Sequence, residues 1–443
     1  MTDRQNRTDG VAAYFSSVAR LQAMLHVEAA LAEAEASLGV IPRAAASAIR
    51  GAARAELYDA IAIESEARQA GNLAIPVVRH LTARIASADA VSARYVHWGA
   101  TSQDIIDTAL VLQLRESVPV IIGDLARAAD AAAAHARRHR ATPMAGRTWL
   151  QQATPITFGL KAAGWLDALD RVTRALRSAL DDALVLQLGG ASGTLAALGD
   201  QGTAVATAMG EGLALQVAPI PWHAHRDRFA ALACALGVAT GTTGKIARDL
   251  GLLAQTEVAE AHDPAGEAGG SSSMPHKRNP VRAAIAIAAA IRAPGLVSTL
   301  LSAMPQEHER GLGGWQAEWD TLPELVIVAG EAARAVAGAL DTLVVDPVRM
   351  RSNLEMTGGL VLAEAVALRL ASGLGKADAH AHIERAARRA ADEHRRFADV
   401  LAEDPAIMAI MDRSGIEQAL SADDYLGSAA TFVANVLARH EKA

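Results

Sequence analysis

The stretch Ile105–Arg140 reads IIDTALVLQLRESVPVIIGDLARAADAAAAHARRHR. It contains one proline, Pro119, and little else that would interrupt a helix. Alanine is the strongest helix former, and leucine and arginine follow closely. The same composition returns in Pro155–Leu188, His225–Ala261, Pro280–Ala303 and Leu322–Thr342. Helices this long and this rich in Ala and Leu are apolar around much of their surface, so they are buried on several sides. The expectation is an all-α chain built on a central long-helix bundle. Subunits that share such a core would cover the apolar surface one chain leaves bare. The plainer alternative is a single bundle packed beneath other parts of the same chain.

Outward from that bundle the pattern changes on both sides. Leu21, Met24, Val27, Leu31, Ala34 and Leu38 follow the spacing of one helical face across Ser16–Gly39. Gly39 and Pro42 end that helix. Further helices are expected over about 44–70 and 74–87. After Pro347 the helices shorten and charged runs appear, as in His382–Arg396, whose Glu384–Arg389 part reads as a solvated face. The expected organisation is an N-terminal helical domain over 1–105, the bundle over 106–349 and a C-terminal helical domain over 350–443.

Composition excludes several classes. Of the 443 residues, 51% are hydrophobic but only 3% aromatic, so a core of Ala, Leu, Val and Ile must let helices approach closely. Cys234 is the sole cysteine, which rules out an intrachain disulfide and a cysteine metal cluster. The net charge of −7 argues against a dedicated nucleic-acid partner. The best candidate for a membrane span, Val281–Leu300, carries Arg282 and Arg292, so no membrane association is expected. The opening MTDRQNRTDG is polar with no signal-peptide core after it, and a cytoplasmic location is the default. Lysine occurs only at Lys161, Lys245, Lys277, Lys376 and Lys442.

Five segments hold the residues that could carry chemistry. Ala261–Pro280, AHDPAGEAGGSSSMPHKRNP, lacks helical periodicity in an otherwise tightly patterned chain. It places serines at one end and His276, Lys277 and Arg278 at the other, an arrangement suited to closing over an anion. A solvated linker is the plain alternative. His97–Thr108, HWGATSQDIIDT, offers Thr101 or Ser102 as a helix cap, and free amides there also favour a bound carboxylate. Gly146–Gln152, GRTWLQQ, reads as a connection between long helices, with Trp149 either anchoring the turn or serving a site. Gln306–Trp319, QEHERGLGGWQAEW, puts Arg310 beside a glycine-rich turn where it could grip a carboxylate or lie in solvent. Trp222–Arg228, WHAHRDR, pairs His223 with His225, but no Asp, Glu or Cys stands at ligand spacing, and the same holds for His135/His139 and His380/His382; no metal is expected. The glycine-rich Leu188–Asp200, LGGASGTLAALGD, lacks phosphate-loop spacing.

Taken together, these residues resemble the fumarase/aspartase superfamily. SSSMPHKRNP is similar to its signature, roughly S-S-x-M-P-x-K-x-N, and GATSQD and GRTWLQQA are similar to the two blocks that precede it, in the same order. The resemblance implies a three-domain subunit, and a homotetramer whose shared core has about twenty helices. It also implies active sites where three subunits meet, and no cofactor. Within the superfamily, Trp149 stands where the second block usually has histidine, Asn72 stands where adenylosuccinate lyase has another catalytic histidine, and Trp315 and Trp319 stand where that lyase holds a phosphate. That combination resembles the bacterial 3-carboxy-cis,cis-muconate cycloisomerases, which act on a small tricarboxylate. Adenylosuccinate- or argininosuccinate-like lyases are the alternative, and a non-catalytic relative of the fold a further one.

The resemblance assigns the residues as follows. Ser271 transfers the proton, and Lys277 and Asn279 stabilise the aci-carboxylate. Thr101, Ser102 and Thr148 hold substrate carboxylates with His97 and Gln151 beside them, Trp149 lines the pocket and Arg310 holds the third carboxylate. His276 also belongs to the substrate-binding set, and His276, Lys277 and the loop amides are alternative candidates for activating Ser271. Loss of the histidine is chemically reasonable. A lactone opens by expelling a carboxylate of pKa about 4, which leaves without help from a general acid.

Overall fold

Ser16 starts the first helix by accepting a hydrogen bond from the Ala19 amide at 3.3 Å. In this computed structural model, which describes residues 10–264, 274 and 277–442, the helix α1 spans Ser17–Ser37. Leu21, Met24, Val27, Leu31 and Ala34 are buried, as their spacing requires, and Glu28 and Glu35 are buried with them. The helix expected over 44–70 is in fact two, α2 (Arg43–Ala52) and α3 (Ala60–Ala70). Asp59 separates them by capping α3, accepting the amides of Ile61 and Ala62. The helix α4 spans Ala74–Ala86.

The long helices follow: α5 (Ser102–Arg138), α6 (Phe158–Ala183), α8 (Asp227–Leu253), α9 (Val281–Ala303) and α10 (Gly314–Asp341). The shorter α7 (Gly202–Leu213) lies between α6 and α8 in sequence. Pro119, Pro294 and Pro323 are accommodated inside α5, α9 and α10. Several boundaries differ from expectation, α6 among them, which spans Phe158–Ala183 instead of Pro155–Leu188. α8 stops at Leu253 instead of near 261, and α10 starts at Gly314 instead of Leu322 because proline at 323 does not end it. The C-terminal part is made of α11 (Pro347–Glu355), α12 (Ala363–Leu374), α13 (Lys376–Asp392), three short helices, α14 (Phe397–Leu401), α15 (Pro405–Met408) and α16 (Arg413–Ala419), and α17 (Ala429–His440). Val366, Leu370, Ile383, Phe397, Leu401, Ile407 and Ile416 form a core within this part.

The all-α expectation holds for the bulk of the chain and fails in detail. β1 (Pro143–Thr148) and β2 (Gln151–Thr157) form an antiparallel hairpin where a plain helix connection was expected. Pro155, read as a helix start, lies in β2. Two further pairs are two residues long each: β3 (Val185–Leu186) parallel to β4 (Gln216–Val217), and β5 (Ala261–His262) antiparallel to β6 (Val344–Val345).

The chain divides into two compact units, each made of three stretches. One comprises Met1–Leu125, Val172–Gly244 and Ile285–Arg334; the other comprises Ala126–Arg171, Lys245–Ala284 and Ala335–Ala443. By length and composition α8 and α9 are apolar enough to cross a membrane. Both arginines of α9 are paired: Arg292 with Glu324, and Arg282 with Asp263 and with the Gly338 carbonyl at 2.7 Å. Along α9, Ile285, Ile291 and Leu301 remain exposed.

Candidate active site

In the first unit the geometry is organised by Asp104, which is fully buried near the start of α5. Its Oδ1 accepts the Gly189 amide at 2.9 Å and meets His223 Nε2 at 2.7 Å. Its Oδ2 accepts the amides of Thr101 and Gly190, each at 2.9 Å. The Thr101-x-x-Asp104 spacing is therefore half of a capping box, in which the acid reaches back to the threonine amide. Its larger effect is to tie the glycine-rich 188–200 segment to the start of α5. The approach is close enough to require glycine on both sides. Gly99 and Gly190 have φ of +71° and +68°, and a Cβ on Gly190 would lie 2.9 Å from the Gly99 carbonyl.

Arg310 completes this arrangement. Its Nη1 donates to Thr101 Oγ1 at 2.9 Å, and its Nη2 donates to the Ala191 carbonyl at 2.9 Å. Its Nε is buried and has no hydrogen-bond partner among the described residues. Thr101 and Arg310 are thus brought together from positions 209 residues apart. His97 lies just upstream with φ +60°, and its Nδ1 is 2.7 Å from Glu28 Oε1. Burial works against a charge on His97, but Glu28, and then Asp104, outweigh it and raise its pKa. Ser102 is the first residue of α5.

Beneath these residues runs a buried ionic cluster. Arg226 donates from Nη1 to Asp107 Oδ2 at 2.6 Å and from Nη2 to Glu318 Oε2 at 2.5 Å. Trp315 is buried and donates from Nε1 to Asp107 Oδ1 at 3.0 Å. Trp315 packs edge-on against Trp319, with ring centroids 4.8 Å apart. These indoles therefore belong to the packing around the cluster. In WHAHRDR the sequence drew attention to the histidine pair, whereas the structure uses His223 on Asp104 and Arg226 in the cluster.

The second unit holds the remaining candidates. Thr148 pairs with Gln151 across β1 and β2, leaving Trp149 and Leu150 as a two-residue turn. Both turn residues are left-handed, at φ +51° and +64°. Trp149 is 97% exposed, and Thr148, Leu150 and Gln151 are exposed beside it. Bulky residues seldom adopt that conformation, and such strain concentrates at functional positions. The base of the hairpin is firmly held: Arg147 makes a two-point ion pair to buried Glu260 at 2.8 and 2.6 Å, and Asn353 Nδ2 donates to Glu260 Oε1 at 2.9 Å. Lys277 and Asn279 precede α9, and the Lys277 amide donates to the Met274 carbonyl at 3.0 Å. Pro280 caps the helix, its carbonyl accepting from Ala284 at 3.0 Å. Ser271 and His276 lie outside the described residues.

Reading the sequence alone missed Glu28, Asp107, Arg226 and Glu318, and it took Asp104 only as a loose cap. The available signal was weak: acidic residues within apolar helical runs, such as Glu28 and Glu35 in HVEAALAEAEA.

The chain is similar over nearly its whole length to known proteins. Residues 3–295 match the family described as Lyase, and residues 359–436 match that described as Adenylosuccinate lyase C-terminus. The 3-carboxy-cis,cis-muconate cycloisomerase of Pseudomonas aeruginosa is 52% identical over 429 residues, covering 97% of this chain and 94% of that protein. The enzyme of the same name from Bradyrhizobium diazoefficiens is 50% identical over 418 residues, covering 94% and 93%. The crystal structure of 3-carboxy-cis,cis-muconate lactonizing enzyme from Pseudomonas putida superposes with a TM-score of 0.92 at 47% identity, covering 98% of this chain and 97% of that one.

Proposed function

The chain belongs to the lyase family of the fumarase/aspartase superfamily, and on that premise we propose that it is a 3-carboxy-cis,cis-muconate cycloisomerase, interconverting 3-carboxy-cis,cis-muconate and 4-carboxymuconolactone. The observation that carries this reading is the 52% identity with the Pseudomonas aeruginosa cycloisomerase over 97% of the chain. Trp149 at the position of the superfamily histidine agrees with it, because a departing carboxylate needs no proton.

In the cyclising direction a substrate carboxylate oxygen adds to the β carbon of a double bond. The electron pair of that bond moves to the α carbon and into its carboxylate, giving the aci-carboxylate. Ser271 then delivers its hydroxyl proton to the α carbon. In the opening direction the Ser271 alkoxide takes the α proton, the ring C–O bond breaks, and the carboxylate leaves with the bonding pair. Lys277 and Asn279 stabilise the aci-carboxylate, where charge builds up. Thr101, Ser102, His97, Thr148, Gln151, His276 and Arg310 hold the substrate carboxylates. The hydrogen bond that fixes the Arg310 guanidinium on Thr101 Oγ1 supports its part. Trp149 forms an apolar wall for the diene.

The proposal extends to a cytoplasmic homotetramer of three-domain subunits, divided at 1–105, 106–349 and 350–443. The exposed Ile285, Ile291 and Leu301 of α9 support a shared helical core, since a long apolar face left uncovered by its own chain requires a partner. The exposed Trp149–Leu150 tip supports a site completed by another subunit. The separate core of the C-terminal helices supports the last boundary. To test the reaction, the chain is incubated with 3-carboxy-cis,cis-muconate in D2O and the product is analysed by NMR. The reading predicts the lactone carrying one deuterium on the carbon α to a carboxylate. Unchanged muconate would overturn it.

A further inference from the structure

His97 is anchored on one side by a group that no substrate reaches. Glu28 lies in the middle of α1, its side chain is fully buried, and its Oε1 stands 2.7 Å from His97 Nδ1. The His97 side chain itself is only one-fifth exposed, and its backbone sits at φ +60°. That conformation is held against its intrinsic cost, which is the behaviour of a residue whose direction matters. A carboxylate on Nδ1 fixes which ring nitrogen carries the proton facing it and leaves Nε2 for another partner.

We propose that Glu28 is a positioning residue for the cycloisomerase reaction: it holds His97 as an imidazolium whose Nε2–H is presented to a carboxylate of the substrate. The proposal rests on the functional reading above. The charged groups acting on His97 are Glu28 from α1 and Asp104 from α5, and both favour the imidazolium. Glu35, two turns further along α1, does not compete for it. Its two oxygens are buried without hydrogen-bond partners among the described residues, and burial, then Glu28, pushes its carboxyl up to about 8. Of the two buried acids on α1, Glu28 is the one placed to neutralise His97.

The test compares the wild-type chain, Glu28→Gln, His97→Gln and the double variant. Glutamine keeps the size and the acceptor of Glu28 but removes its charge. Glu28→Gln is expected to raise KM for 3-carboxy-cis,cis-muconate about tenfold with kcat nearly kept, the size of effect lost with a charge-assisted contact. It should also move the alkaline limb of kcat/KM to lower pH, and add nothing further in the His97→Gln background. An unchanged KM and alkaline limb, or an equal loss in the His97→Gln background, would overturn the proposal. NMR titration of the labelled His97 ring gives a readout that does not depend on turnover. Its pKa should fall in Glu28→Gln, and an unchanged pKa would refute the pairing. If the wild-type chain does not convert the muconate at all, the functional reading fails; the ring titration still decides whether Glu28 holds His97 charged.

Discussion

Arg310 Nη1 donates to Thr101 Oγ1 at 2.9 Å, joining the turn that precedes α10 to the residue that precedes α5. The same guanidinium holds the Ala191 carbonyl, so one side chain ties together three loops of the first unit. It is the clearest case of a proposed site residue whose partner could not be read locally.

Removing that tie should weaken substrate binding. Arg310→Ala is expected to cost about 2 kcal/mol of transition-state binding, roughly thirtyfold in kcat/KM. Steady-state kinetics on the muconate measure it directly. Kinetics within twofold of wild type would show that Arg310 serves the loops alone.

The cluster of Asp107, Arg226 and Glu318 makes a prediction about stability. All three side chains are buried. Arg226→Met leaves two carboxylates without their cation, which should destabilise the chain by about 3–5 kcal/mol. Chemical denaturation monitored by circular dichroism reads this as a lower midpoint. An unchanged midpoint would mean that the cluster is not buried in solution as it is here.

Glu35 makes a prediction about pH. Its carboxyl is pushed from 4.5 to about 8, by burial first and then by Glu28. A carboxyl with a raised folded pKa holds its proton more tightly in the folded chain. Its contribution is therefore complete below 4.5 and is lost as pH rises through 8. Glu35→Gln has no proton to lose. Its melting temperature, relative to wild type, should rise between pH 5 and pH 8.5. A difference that stays constant across that range contradicts the assignment.

The long helices were legible because their signal is local: Ala and Leu runs with few breakers, as in α5 and α9. The three superfamily blocks were legible for the same reason, each being a short contiguous string. The hairpin of β1 and β2 was not. Its turn is Trp149–Leu150, and tight hairpins normally announce themselves with Asn-Gly or a similar pair that tolerates positive φ. The supports of the site were not legible either. Asp104 meets Gly189 and His223, and Arg226 meets Asp107 and Glu318, across 85 to 119 residues of sequence. Nothing in the local pattern of either partner points to the other. Burial of Glu28 within an alanine-rich helix was visible only as an acid on an apolar run.

The most direct test of the central claim is the diene absorbance of 3-carboxy-cis,cis-muconate mixed with the purified chain, with Ser271→Ala and adenylosuccinate run alongside. The account predicts that the wild-type chain removes the absorbance, that Ser271→Ala does so at least about a hundredfold more slowly, and that adenylosuccinate is left intact. Cleavage of adenylosuccinate with the muconate absorbance unchanged would contradict it.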